Sequence, residues 1–201
     1  MARKEGLRLH AGEPEFDAKS YDTLTELDGL SPELMDDHIG LYRGYVKNAN
    51  HAHELLREGD LDTFERSEVR RRFGWEFNGM RLHEMYFDAL TPGGKDLDED
   101  TKLHEGLTKD FGSLAAWAQD FRSVGSMRGI GWAALCHDPV TDRFFNTWVD
   151  EHDAGNLVGT TPVLLMDVFE HAFIKDFGTD RDLYMDAYFQ NVDWTVADKR
   201  L

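Results

Sequence analysis

The stretch "MDVFEHAFIKDF", Met166 to Phe177, places an Asp-x-x-x-His pair and a further acid among Val, Phe, Ala and Ile. Apolar residues in that density belong inside a fold, and taking Asp167 and His171 inside with them is costly unless a partner compensates both. Whatever this chain folds into, it must bring compensating groups to this segment.

The rest of the chain limits where such groups can come from. With 201 residues, 41% hydrophobic and 12% aromatic, it can enclose one good core or two small ones. The single cysteine, Cys136, permits neither an internal disulfide nor a thiolate zinc site, which fits a reducing compartment. The opening "MARKEGLRLHAGEPEF" lacks an apolar signal core, and no apolar run approaches the roughly 20 residues of a membrane span. A soluble, cytoplasmic protein without a membrane partner is expected. A net charge of -17 has the wrong sign for phosphate backbones, so no nucleic-acid partner is expected either. The acidity reads as a solvated, self-repelling surface.

Periodicity divides the chain. Residues 1 to 30 are polar and weakly periodic, an extended arm. From Ser31, a plausible cap followed by Pro32, the residues Leu34, His38, Leu41, Tyr45, Ala49, Ala52 and Leu56 recur at alternating four and three, which predicts one long amphipathic helix. A second helix ends in "GMRLHEMYFDALTPGG", with Met80, His83, Phe87 and Leu90 in one stripe, so the two form an antiparallel hairpin. The turn-rich "TPGGKDLDED" marks a boundary between an arm-and-hairpin domain, 1-92, and a C-terminal domain, 93-201. There a helix through "GSLAAWAQDFRSVG" precedes strand-like "GWAALCHD", "RFFNTWVDEH" and "TPVLLMD", and helical segments close the chain. The fold class is α+β: the hairpin plus a C-terminal α/β domain with a three-stranded antiparallel sheet, expected as a meander.

Alone, His38 or His83 on its apolar stripe is explained by a hydrogen-bonded core histidine. Asp167 and His171 add two more groups in need of a shared positive partner, and one metal ion held by His38, His83, Asp167 and His171 would compensate all four. Imidazole with carboxylate suits iron, manganese or zinc, and the lack of thiolate argues against structural zinc. Neither the Glu-x-x-His pairs of di-iron bundles nor a His-Glu-x-x-His protease motif occurs, which leaves a mononuclear site.

Taken together, "HIGLYRGYV", "LHEMYFDALTP", "FGSLAAWAQDF", "GIGWAAL", "DVFEHAF" and "RDLYMDAYFQNVDWTVADKR", in this order over residues 31 to 201, resemble the iron/manganese superoxide dismutase family. The resemblance implies the same four ligands, one iron or manganese ion per subunit with iron slightly favoured, and superoxide as substrate. It implies catalytic roles for Tyr45, at the gateway, and His152, beside metal-bound solvent, although His152 also reads as a surface residue of "VDEHDAGN" and Tyr45 as a core aromatic. Around the ligands it places Tyr42, Gly79, Trp132 and Phe169, with Gly79 leaving room for the donor from the other domain. Arg181 would lie near the substrate funnel. Glu170 would bridge to a partner subunit in a homodimer, with a tetramer as the alternative, or else be a solvated acid.

Departures from the family pattern are also legible. Tyr42 and Ile174 stand where the family has a histidine and a tyrosine that meet across the subunit interface, so an apolar contact is expected there, with a residual task for the Tyr42 hydroxyl. Phe87, Ala134 and Phe169 replace tryptophans. Two other readings therefore stay open: a mononuclear iron or manganese protein with other oxygen or peroxide chemistry, and a non-catalytic protein stabilised by its metal.

Overall fold

The computed structural model describes residues 16–201; the first half of the expected arm lies outside the described residues. Helix α1, Pro32–Glu58, starts where the sequence says it should: Ser31 accepts a hydrogen bond from the Leu34 amide and Pro32 occupies the first turn, satisfying one of the helix's orphan donors. Helix α2, Thr63–Asp88, opens on a reciprocal capping box between Asp62 and Glu65. The two form the expected hairpin, and α1 runs without a bulge.

The buried face of α1 is not quite the predicted stripe. Ile39, Tyr42 and Val46 are buried with Leu34, His38, Ala49 and Ala52, whereas Leu41 is 43% exposed. The apolar stripe is wide enough to be drawn through either flank of His38, and packing selects the Ile39 flank. Ahead of α1, residues 16–21 lie along the hairpin: the Phe16 amide and carbonyl pair with the Asn50 side chain, and the Lys19 amide donates to the Tyr42 hydroxyl. A short 3-10 turn, Asp22–Glu26, follows.

Past Thr91 the chain turns back beside its own C-terminal region, where Leu90 bridges Val192 and Lys95 bridges Asp193. Helix α3, Lys102–Phe111, was not anticipated; only Leu103 and Leu107 of it are buried. Its boundary signals are nonetheless present, a Thr101 cap and Gly112 in the left-handed conformation that ends helices. Helix α4, Leu114–Gly125, leads to strands β1, Gly131–Asp138, β2, Arg143–Asp150, and β3, Thr161–Asp167.

All neighbours in the sheet are antiparallel, but the order is β2-β1-β3, not the expected meander, which would put β2 in the centre. Burial separates the central strand from β2. From Gly131 to Cys136 every residue of β1 is buried, as in a strand covered on both sides, while in β2 only Phe144 and Val149 are buried. A 3-10 turn, Glu170–Ala172, and helices α5, Ile174–Phe177, α6, Arg181–Gln190, and α7, Trp194–Asp198, complete the chain.

One apolar cluster runs from the α1–α2 hairpin into the sheet, including Met80 and Phe87 on one side and Trp132, Leu165 and Tyr188 on the other. Three polar ties, two of them buried, hold β3 within it. The Tyr184 hydroxyl donates to the Asp167 carbonyl at 2.6 Å, the Tyr188 hydroxyl to the Leu165 carbonyl at 2.8 Å, and Arg200 links the Val163 and Met85 carbonyls. Asp167 is thereby presented at a defined height against the hairpin.

Candidate metal centre

Each element brings one side chain to a common point: α1 brings His38, α2 brings His83, the last residue of β3 is Asp167, and the 3-10 turn brings His171. One ligand atom from each of the four lies within 4.8 Å of all the others. His38, His83 and Asp167 are fully buried and His171 partly so. Asp167 divides its oxygens. Its Oδ1 accepts the Phe169 amide at 2.8 Å, while Oδ2 faces the Nε2 atoms of His38 at 3.0 Å, His171 at 3.2 Å and His83 at 3.5 Å.

The proton positions in this cluster ask for a cation. Nδ1 of His83 donates to the Gly79 carbonyl at 2.6 Å, so in the neutral ring Nε2 carries a lone pair, and that atom is buried without a hydrogen-bond partner. A lone pair aimed at a carboxylate oxygen is repulsive unless positive charge sits between them. Protonation is a poor remedy, because burial pushes the His83 and His38 imidazoles below their ordinary range. Burial would raise Asp167 as well, but His171 and His38 outweigh it and hold the carboxyl far below the usual range. A carboxylate and three imidazoles, all turned inward, fit one iron or manganese ion.

Against this cluster lies a hydrogen-bonded chain. His152 is fully buried, so the surface-histidine reading fails. The Trp132 indole N–H donates to His152 Nδ1 at 3.1 Å, and Nε2 stands 2.9 Å from the Tyr45 hydroxyl. Accepting at Nδ1 puts the proton of His152 on Nε2, from which it donates to Tyr45. Burial pushes the His152 pKa down to about 4 and raises that of Tyr45, with Asp167 adding to the rise, so both groups are neutral donors near pH 7. The Tyr45 ring lies 5.0 Å from that of His83. Phe169 stacks on both His152 and His171, at 4.9 and 5.2 Å, and so covers the gap between the chain and the cluster.

Gly79 works differently from the expectation. Its missing Cβ would lie 2.6 Å from the Tyr45 ring; the space it leaves is filled by Tyr45 of the facing helix, not by a donor from the other half. The Tyr42 hydroxyl donates to the buried Glu84 carboxylate at 3.0 Å, and Glu84 is paired with Arg81, so its task lies inside the hairpin; Ile174 is exposed. Arg181 spends its guanidinium on the carbonyls of Met127 and Gly129, with Phe173 beneath it. Glu170 is exposed. The sequence reading overlooked Trp75, which touches both Tyr45 and His152; its place two four-residue steps before His83 on α2 was the available signal.

Fold and site together define a class: an α+β protein whose hairpin and sheet converge on a cluster of three histidines and one aspartate that could hold a single metal ion. Comparison with known proteins gives that class a name. The description "Iron/manganese superoxide dismutases, C-terminal domain" matches residues 99–200. Over 181 residues the chain is 36% identical to "Superoxide dismutase [Fe]" of Cupriavidus metallidurans, covering 87% of this chain and 90% of that one. It is 31% identical over 203 residues to "Superoxide dismutase [Fe]" of Aquifex pyrophilus, covering 96% and 92%. With "Superoxide dismutase [Mn] 2" of Haloferax volcanii it shares 34% over 176 residues, covering 84% and 87%. The chain belongs to the iron/manganese superoxide dismutase family.

Proposed function

We propose that the protein converts two superoxide anions and two protons into dioxygen and hydrogen peroxide, with His38, His83, Asp167 and His171 holding one ion. The observation that carries this reading is the inward-facing, unpartnered Nε2 of His83 opposite the Asp167 carboxylate. Bound there, iron or manganese supplies a one-electron couple, oxidising one superoxide and reducing the next. We place iron first; relatives of similar identity bear both metals in their names.

The chain's own contribution is protons and positioning. The superoxide that is reduced must gain two protons. Tyr45 accepts from His152 at its hydroxyl oxygen, leaving its own O–H free to donate, and His152 Nε2–H stands behind it as the next donor. Trp132 keeps that order by occupying Nδ1. Phe169, Trp132 and Phe87 are buried around the cluster, which excludes bulk water and strengthens each of these hydrogen bonds. Arg181 adds local positive charge beside Phe173 in a chain of net charge -17, which favours an anionic substrate.

We assign Glu170, exposed and adjacent to His171, to a contact with a second copy of the chain, making a homodimer. A cytoplasmic location rests on the buried, unpaired Cys136; among the described residues no helix is long and apolar enough to cross a membrane. The test is metal retention: His171→Ala releases the ion on dialysis, whereas Tyr45→Phe keeps it and alters kinetics. A His171→Ala protein that retains a full equivalent of metal refutes the ligand assignment.

A further inference from the structure

We propose that Trp75, through its hydrogen bond to Glu151, is a positioning residue that holds His152 against Tyr45; the assignment rests on the dismutase reading above. His152 is buried, yet it belongs to the connection 151–160, in which residues 151 and 153–159 are exposed. Glu151, immediately before it, has φ +48°, a left-handed backbone that a non-glycine residue adopts only when its surroundings enforce it. The surroundings are on α2. The Trp75 indole N–H donates to the Glu151 carboxylate at 2.9 Å, and one turn later the Asn78 side chain donates to the His152 carbonyl at 2.9 Å.

The indole is itself held. The Arg72 guanidinium lies over its ring at 4.3 Å and is tied to the buried Glu76. From that seat the ring meets His152 at 4.6 Å with an interplanar angle of 62°, and Tyr45 at 5.5 Å. Trp75, Gly79 and His83 recur every four residues and so share one face of α2. His83 joins the cluster, Gly79 admits the Tyr45 ring, and Trp75 fixes the loop that carries His152. A charge-assisted bond from a rigid helix to a loop residue is the kind of support that sets a donor to within a fraction of an ångström.

Metal-loaded parent, Trp75→Phe, Glu151→Ala, the double variant and Glu151→Gln are compared by saturation kinetics of superoxide decay, by azide titration of the visible absorbance, and by thermal midpoint. Misplacing His152 lowers kcat and shifts azide affinity by about threefold or more in Trp75→Phe and Glu151→Ala. The double variant is no worse than Trp75→Phe alone, because both remove one interaction. Glu151→Gln, whose amide oxygen still accepts the indole proton, recovers most of the loss. A purely structural bond moves the thermal midpoint and leaves kcat and azide affinity unchanged, and that result, or additive losses in the double variant, overturns the proposal. Should Trp75→Phe not fold, the exposed Glu151 pair decides it. A metal-loaded parent that does not accelerate superoxide decay refutes the dismutase reading instead, and the azide titration still decides the positioning.

Discussion

Trp132 donates its indole N–H to Nδ1 of His152 at 3.1 Å, and this one bond decides which nitrogen of His152 carries the proton that faces Tyr45. Trp132→Phe removes the donor and leaves a buried imidazole nitrogen without a partner, a loss of about 1–3 kcal/mol in stability. Denaturant unfolding of the metal-loaded proteins measures it. Turnover falls with metal content unchanged, since Trp132 touches none of the four proposed ligands through a hydrogen bond.

Gly79→Ala tests the close approach of the hairpin helices. An added methyl at 2.6 Å from the Tyr45 ring cannot be accommodated without moving it, and overpacking of this kind costs about 1–3 kcal/mol. The hydroxyl of a displaced Tyr45 leaves His152 Nε2, so kcat falls more than the thermal midpoint alone accounts for. An alanine variant with parental kcat places the Tyr45 hydroxyl outside the proton path.

Acid sensitivity has an identifiable contributor far from the cluster. Asp193 caps α7 through the Thr195 amide and hydroxyl and pairs with Lys95. Burial works to raise its carboxyl, and these partners outweigh burial and hold it below the usual range. A depressed folded-state pKa contributes stability that is fully present above the unfolded value of about 3.9 and lost as pH falls through the folded value. Asp193→Asn is therefore less stable than the parent at pH 7, and the gap in urea midpoint narrows below about pH 4.

The parts legible in the sequence were those with strong local signals. Ser31 and Pro32 mark the start of α1, the Pro-Gly-Gly cluster the end of the hairpin, and the three strands lie close to where their β-branched and aromatic runs put them. Strand order was harder, because a turn of four residues between β1 and β2 fits a meander as well as the observed order, and the edge strand β3 is buried from Val163 to Asp167 as continuously as the central β1. Helix α3 was missed because just two of its residues face the core. The four cluster residues stood out because each is a polar group in an apolar stripe. Trp75, a large aromatic on a helix, carries no such contradiction, and its bond to Glu151 depends on a loop whose path no local pattern encodes.

Pulse-radiolysis decay of superoxide by protein carrying one equivalent of iron or manganese per chain decides whether this cluster turns over superoxide. The expected result is catalytic decay, with many superoxide anions consumed per metal ion and the rate proportional to enzyme concentration. A fully metal-loaded protein in whose presence superoxide decays only at its spontaneous rate would contradict it.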